Sequence, residues 1–265
     1  MNLSTEQLVY ELRTLLLDIE IKDVRLRRHR AANGKMRPYL TVVFALAGNF
    51  VAAYGLSPES PNQQSISALL FRAMAQPGDG SIPKEIRLDI SAAPFAPHLQ
   101  DACADLGISL RPLTDEHPAT GEGERFLETL QSRIREALPA YMGPMAGNEM
   151  VHPTLGELEH ILKDCLAEYH RNANSGERQS PLAMLGFPGA ADPRRLVRLL
   201  GEGARRAVTS KGISYHARRY WHDELASLPP RTEVIIYATP SLAIPKSVEV
   251  FHQGTWVCTA LVYRG

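Results

Sequence analysis

The sequence predicts an α/β domain, then a helical linker, then a small β-barrel. Three observations carry this. The first part of the chain alternates β-compatible runs with runs of helical period. A Gly/Pro-rich stretch, "LPAYMGPMAGNEMVHP", closes it and leads into amphipathic helices. From Lys211 onward the texture changes to short β segments punctuated by Pro and Gly, the pattern of a small barrel. The expected divisions are residues 1–140, 141–207 and 208–265.

Taken in order, "LVYELRTLLLDIEIKDVRL" is rich in β-compatible residues, and "PYLTVVFAL" and "FVAAYGL" follow as two strands around a Gly48-Asn49 turn. "SISALLFRAMA" reads as a helix, "EIRLDIS" as a short strand, "APHLQDACADLG" as a helix stopped by Gly107, and "ISLRP" as a strand. In "PATGEGERFLETLQSRIREAL", Phe126, Leu127, Leu130, Ile134 and Leu138 make a helical apolar stripe. The order β-β-β-α-β-α-β-α is a mixed sheet covered by helices. In the linker, "TLGELEHILKDCLAEYHRN" is amphipathic, with Thr154 and Glu157 spaced as a capping box. "DPRRLVRLLGEGARRAV" reads as a further helix with Pro193 in its first turn. The barrel segments are "GISYHARRYW", "TEVIIYATP", "SVEVFHQ" and "TWVCTALVYRG", with Tyr220, Trp221, Trp256 and Tyr263 expected in its core.

At 265 residues the chain can bury a substantial core. Its 29 Lys+Arg balance 29 Asp+Glu, so net charge gives no argument for nucleic acid. Local charge does: "RLRRHR" (Arg25–Arg30) and "ARRAVTSKGISYHARRYWH" (Ala204–His222) are basic and free of acids. The candidate phosphate contacts are Arg27, Arg28, Arg30, Arg205, Arg206, Lys211, Arg218 and Arg219. Three dispersed cysteines form neither a disulfide framework nor a metal pair, and nine histidines include no H-x-x-x-H. No secretory signal pattern opens the chain, and its longest apolar run is broken at Gly48-Asn49. The expectation is a soluble, cytoplasmic protein with no membrane partner.

Strand "EIRLD" ends at Asp89, and Glu124 opens the third helix thirty-five residues later. In this element order the end of that strand can face the start of that helix. Two carboxylates meeting there would offer hard oxygen ligands to Mg²⁺ or Mn²⁺, the ions that clamp both oxygens of an in-line phosphoryl transfer. Gly121 and Gly123 would let the backbone pass close to metal and DNA.

Several strings, in this order along nearly the whole chain, resemble the Mu-type transposases of the retroviral-integrase-like DDE group. They are "RPYLTVVFALAGNFVAAYGLSPESPNQQSISALLFRA", "LDISAAPFAPHLQDACADLGISLRP", "GEGERFLETL", the linker ending in "YHRNANSG", and "GISYHARRYWHDELASL" with "TEVIIYATPSL". The resemblance implies an RNase H-like core followed by a small barrel. It makes Asp89 the second catalytic aspartate and Glu124 the catalytic glutamate, both metal ligands for Mg²⁺ or Mn²⁺. The family's first aspartate lies in a Trp-x-x-Asp-His-Thr-x-Leu-Asp strand. Here the corresponding string is "YELRTLLLDI", and aligning Asp18 with its last residue puts Arg13 in the catalytic place. Glu11, two residues away on the same strand face, is the available substitute. Further departures fall at Ala45, Asn49, Ile90-Ser91, Glu122 and Thr239.

Two functions follow from the resemblance. One is a DNA-binding or assembly protein of the DDE family with an impaired site, in which Arg13 forms a bidentate salt bridge with Asp89 or Glu124 in place of a metal. The other is an active Mg²⁺-dependent DNA strand-transferase. The implied partners are double-stranded DNA, a transposase subunit or an AAA+ ATPase, and further copies of the chain. The helical end-recognition domains that precede the family's core are expected to be absent.

Overall fold

The central strand of the first sheet is β1 (Val9–Leu16). The computed structural model describes residues 8–22, 35–46, 49–75, 82–89, 96–113, 120–142, 152–173, 192–240 and 244–263. On one side β1 pairs antiparallel with β4 (Tyr39–Ala45), which pairs antiparallel with β5 (Phe50–Ser57). On the other side it runs parallel to β6 (Glu85–Leu88), which runs parallel to β7 (Ser109–Pro112). The helices α1 (Gln63–Ala75) and α2 (Ala96–Leu106) lie in the connections that the parallel strands β6 and β7 require, and α3 (Thr120–Met142) follows β7. The chain between β1 and β4 is not one long strand. After Leu17 it turns outward, Asp18 pairs with Arg37 and Arg135, and a two-residue ribbon follows, β2 (Ile21–Lys22) against β3 (Lys35–Met36).

Strand alternation divides the core. Tyr10, Leu12, Val43 and Ala45 face α1 and α2. Leu40, Val42 and Phe44 face α3 and a fourth helix, α4 (Leu155–Ala173), where Phe44 stacks on Phe126 at 5.1 Å. Two helix boundaries follow the sequence signals. Gly107 ends α2 at φ +74, a left-handed conformation suited to glycine. Thr154 and Glu157 form the capping box of α4: the Glu157 carboxylate accepts from the Thr154 N–H at 2.7 Å, and the Thr154 hydroxyl accepts from the Glu157 N–H at 3.3 Å.

The segment expected to be one helix through Val208 is divided. The helix α5 (Pro193–Leu200) is capped by Asp192, and after Gly201 the chain becomes a strand, β8 (Glu202–Ala207). A side chain at Gly201 would collide with the carbonyls of Val197 and Ala238, so the turn into the strand needs glycine there. Strand β8 opens a six-stranded antiparallel sheet ordered β8-β11-β12-β13-β10-β9. The other strands are β9 (Ile213–Tyr215), β10 (Arg218–Trp221), β11 (Glu233–Ala238), β12 (Ser247–His252) and β13 (Thr255–Val262). "GISYHARRYW" is therefore a hairpin, turning at His216 (φ 46) and Ala217 (φ 57). The barrel core includes Ile213, Tyr220, Val234, Ile236, Val248, Val250 and Ala260. Edge strands β8 and β9 are drawn together by Arg206, whose Nε donates to the Ser214 carbonyl at 3.2 Å while its guanidinium lies 5.4 Å from the Tyr215 ring.

Helix α5 joins the two sheets. Leu196 and Leu200 are buried in the first core, on the α1 and α2 side. Its cations reach the barrel: Arg194 sits 4.0 Å from the Trp256 ring centroid and Arg198 5.8 Å from that of Phe251.

Candidate active site and nucleic-acid surface

Residues of β1 alternate between faces, so Glu11 and Arg13 lie on the α3 side of the sheet. The parallel register pairs Glu11 with Arg87 and Leu12 with Leu88, and one further step sets Arg13 beside Asp89. The backbone holds this step: the Asp89 N–H donates to the Leu12 carbonyl at 3.0 Å, and the Thr14 N–H donates to Asp89 Oδ2 at 3.4 Å. The strand end and the position taken by Arg13 thus lie next to each other in the sheet.

What surrounds them is an alternating row of charge. Arg13 Nε donates to Glu11 Oε2 at 3.0 Å, and Arg87 Nη1 lies 3.7 Å from Glu11 Oε1. Arg87 Nε contacts Glu85 Oε1 at 2.7 Å, and Arg111 Nε lies 3.4 Å from Glu85 Oε2. The row Arg13–Glu11–Arg87–Glu85–Arg111 crosses three adjacent strands. The Glu11 side chain is 0 % exposed and that of Arg13 12 %. An isolated carboxylate so buried would cost several kcal/mol. Guanidinium groups on both sides keep the charge compensated.

The first turns of α3 cover the Glu11–Arg13 end of this row. A Cβ on Gly123 would lie 2.6 Å from Glu11 Oε2 and 2.8 Å from Arg13 Nε. The backbone therefore does pass close to something, and that something is the Glu11–Arg13 pair. Gly121 has open space by comparison, with its nearest atom at 3.9 Å. Glu124, the next residue after Gly123, is exposed.

This donor set does not suit a divalent cation. Arg13 stands next to Asp89 in the strand register, and both Glu11 oxygens face arginines. Among the described residues, no group of three or more His, Cys, Asp or Glu side chains is arranged to hold a metal. Burial pushes the Cys103 and Cys258 thiols up to about 11 and raises that of Cys165, which disfavours the thiolate in each. Glu85, Arg87 and Arg111 went unnoticed in the sequence. The period-2 spacing within "EIRLD" puts Glu85, Arg87 and Asp89 on one face, and that signal could have found the first two.

Of the expected phosphate contacts, Arg27, Arg28 and Arg30 lie outside the described residues. Arg206 is engaged in closing the barrel, whereas Arg205 is exposed on β8. Lys211, Arg218 and Arg219 are exposed and line hollows on the barrel surface. Tyr220 is fully buried, as expected of a core residue. Tyr263 is 56 % exposed and Trp256 36 %, against the expectation of core positions, because both lie on the outer face of β13 or just beyond its end.

The fold is a five-stranded mixed sheet flanked by helices, joined through α5 to a six-stranded antiparallel barrel-like sheet. Residues 198–259 match the family described as Mu transposase, C-terminal. Over 259 residues the chain is 23% identical to the transposase for transposon Tn552 of Staphylococcus aureus, covering 93% of this chain and 52% of that protein. The chain thus spans about half the length of this relative. Similar solved structures include the catalytic core domain of BIV integrase, 14% identical over 67% of this chain and 92% of that one, with a TM-score of 0.42. The simian T-cell lymphotropic virus intasome in complex with PP2A regulatory subunit B56 gamma is 12% identical over 96% and 78%, also at 0.42. The HTLV-2 integrase catalytic core domain in complex with magnesium is 13% identical over 60% and 81%, at 0.38. The family match thus lies in the barrel and the end of α5, and the likeness to the Tn552 transposase extends over most of the chain. Among the described residues, no helix is long and apolar enough to cross a membrane.

Proposed function

We propose that this chain is a DDE-family core that binds DNA and serves in assembling or restraining a DNA-joining complex, without performing metal-dependent strand transfer itself. One observation carries the reading: Arg13 stands beside Asp89 and is tied to a buried Glu11 under the Gly123 backbone. A divalent ion drawn to Asp89 would meet the positive charge of Arg13 on the neighbouring strand. The guanidinium does what a metal would otherwise do for this cluster, compensating carboxylate charge beneath α3. Phosphate contact falls to the barrel cations, and a transposase subunit or an AAA+ ATPase is the kind of partner such a core would join.

Titration of Mn²⁺ into the protein by calorimetry tests the reading. The natural chain is expected to give no binding heat. Arg13→Asp, which gathers Glu11, residue 13 and Asp89 as three neighbouring carboxylates, is expected to create a site. Binding by the natural chain that disappears in Glu124→Gln would overturn the proposal and restore the strand-transferase. In parallel, binding to a duplex oligonucleotide should weaken linearly in log K with log salt.

A further inference from the structure

Most of the arginines in the described residues have structural partners. Arg13, Arg37, Arg87 and Arg135 are ion-paired, and Arg194 and Arg198 lie on aromatic rings. The barrel has a different group. Two hollows, of about 730 and 460 Å³, adjoin on its surface and share Arg219 and Tyr263. His216, Arg218 and Ile244 complete the wall of the larger, and Lys211 and Trp221 that of the smaller. No carboxylate lines either hollow, and among the described residues none pairs with Lys211, Arg218 or Arg219. The result is a concave strip of positive charge with two aromatic rings set in it.

The rings are held for contact. Tyr263 is anchored by its own N–H, which donates to the Arg219 carbonyl at 2.8 Å, yet its side chain remains 56 % exposed. Trp221 Nε1 donates to Asp223 Oδ1 at 3.3 Å, and the loop at Gly212 packs against its ring, so the ring is fixed and half-buried. The turn at one end of the strip keeps His216 and Ala217 at positive φ, a conformation that disfavours residues with a Cβ.

We infer that this groove binds an unpaired nucleic-acid strand, with bases stacking on Tyr263 and Trp221 and phosphates meeting Lys211, Arg218 and Arg219. The inference rests on the DNA-binding reading above and specifies the form of DNA that the barrel takes. Duplex DNA presents phosphates and groove edges to a protein surface, and its base faces are hidden in the stack. A ring in the wall of a concavity meets a base face only when the strand is unpaired. An acidic peptide would satisfy the cations, but the apolar groups here are interleaved with charge and make no continuous stripe for a helix. The β10 residues of the groove, Arg218, Arg219 and Trp221, belong to a strand paired on both sides, with β9 and β13, and not to a free strand edge.

The test is fluorescence anisotropy on the full chain with a labelled 15-nucleotide oligo-dT and a labelled duplex hairpin, each across a salt series. Tyr263→Leu is expected to weaken oligo-dT binding about ten-fold and duplex binding less than two-fold. Arg219→Gln is expected to weaken both and to lower the magnitude of the salt slope by about 1. Photo-crosslinking of bromouracil-substituted oligo-dT should label the peptides carrying Trp221 or Tyr263. If the chain binds DNA but Tyr263→Leu leaves oligo-dT affinity unchanged, the groove assignment is overturned while the DNA-binding reading stands. If neither probe binds at low salt, that reading fails as well. Displacement of oligo-dT by an acidic aromatic peptide at lower concentration than by unlabelled oligo-dT would make the groove a peptide site and overturn the inference.

Discussion

Replacing Gly123 by alanine tests the packing of α3 on the charged row. Within a helix, glycine is worse than alanine by up to about 1 kcal/mol, so the change would stabilise the protein if the added methyl met open space. It does not: the methyl would sit 2.6 Å from Glu11 Oε2 and 2.8 Å from Arg13 Nε, well inside ordinary contact. Neither group has an easy escape. Glu11 is wholly buried between Arg13 and Arg87, and moving it into solvent means breaking the row. Overpacking of this kind costs about 1–3 kcal/mol, and opening a buried pair costs about 3–5 kcal/mol. Allowing for the propensity gain, we expect a net loss of about 2 kcal/mol. With an m value of about 3 kcal/mol/M, the urea midpoint followed by far-UV circular dichroism should fall by about 0.7 M. Gly121→Ala is the matched control, since its methyl would have nothing nearer than Arg125 Nη2 at 3.9 Å. It should leave the midpoint unchanged or raise it. A rise in both variants would refute the argument, because α3 would then not be pressed against the Glu11–Arg13 pair.

Two further outcomes are expected. Arg206→Met keeps the stem but removes the hydrogen bond that draws β9 to β8, and should cost about 1–2 kcal/mol, with faster amide hydrogen exchange in β8 and β9 than in β12. The Thr154 backbone and side-chain hydrogen bonds hold the Glu157 carboxyl below its ordinary value near 4.5. Its folded pKa is therefore depressed, so the stabilisation it gives is complete above about pH 5 and is lost as pH falls through the folded pKa. Thr154→Ala should remove that acid-side component and cost about 1 kcal/mol at neutral pH, measured by thermal melts from pH 3 to 7.

Features governed by local chemistry were legible in the sequence. The capping box of α4, the Gly107 stop and the β4–β5 hairpin each depend on residues within a few positions of one another. Where the deciding contact is distant, local signals misled. Arg205 and Arg206 fit a helix as well as a strand, and only pairing with β11 makes Glu202–Ala207 extended. The β9–β10 hairpin was hidden because its turn uses His216 and Ala217 where glycine or asparagine is usual. At the site, Glu11 and Arg13 were visible as one strand face, and of the two glycines read as a close approach only Gly123 makes one, to the Glu11–Arg13 pair. The rest of the row was not, because Arg87 reaches Glu11 only when β6 lies next to β1, a crossover that no local pattern encodes.

The position of α5 and β8 limits how this barrel can be exchanged between proteins. A recombination joint placed at residue 208, where the change of texture suggests one, would leave β8 behind and bare the backbone edge of β11, an invitation to strand addition by another copy. A joint placed before Asp192 would carry β8 along but also Leu196 and Leu200, which fill a pocket formed by α1 and α2. A new host core would have to offer that same pocket. Shuffling of the barrel is thereby confined to cores that already resemble this one.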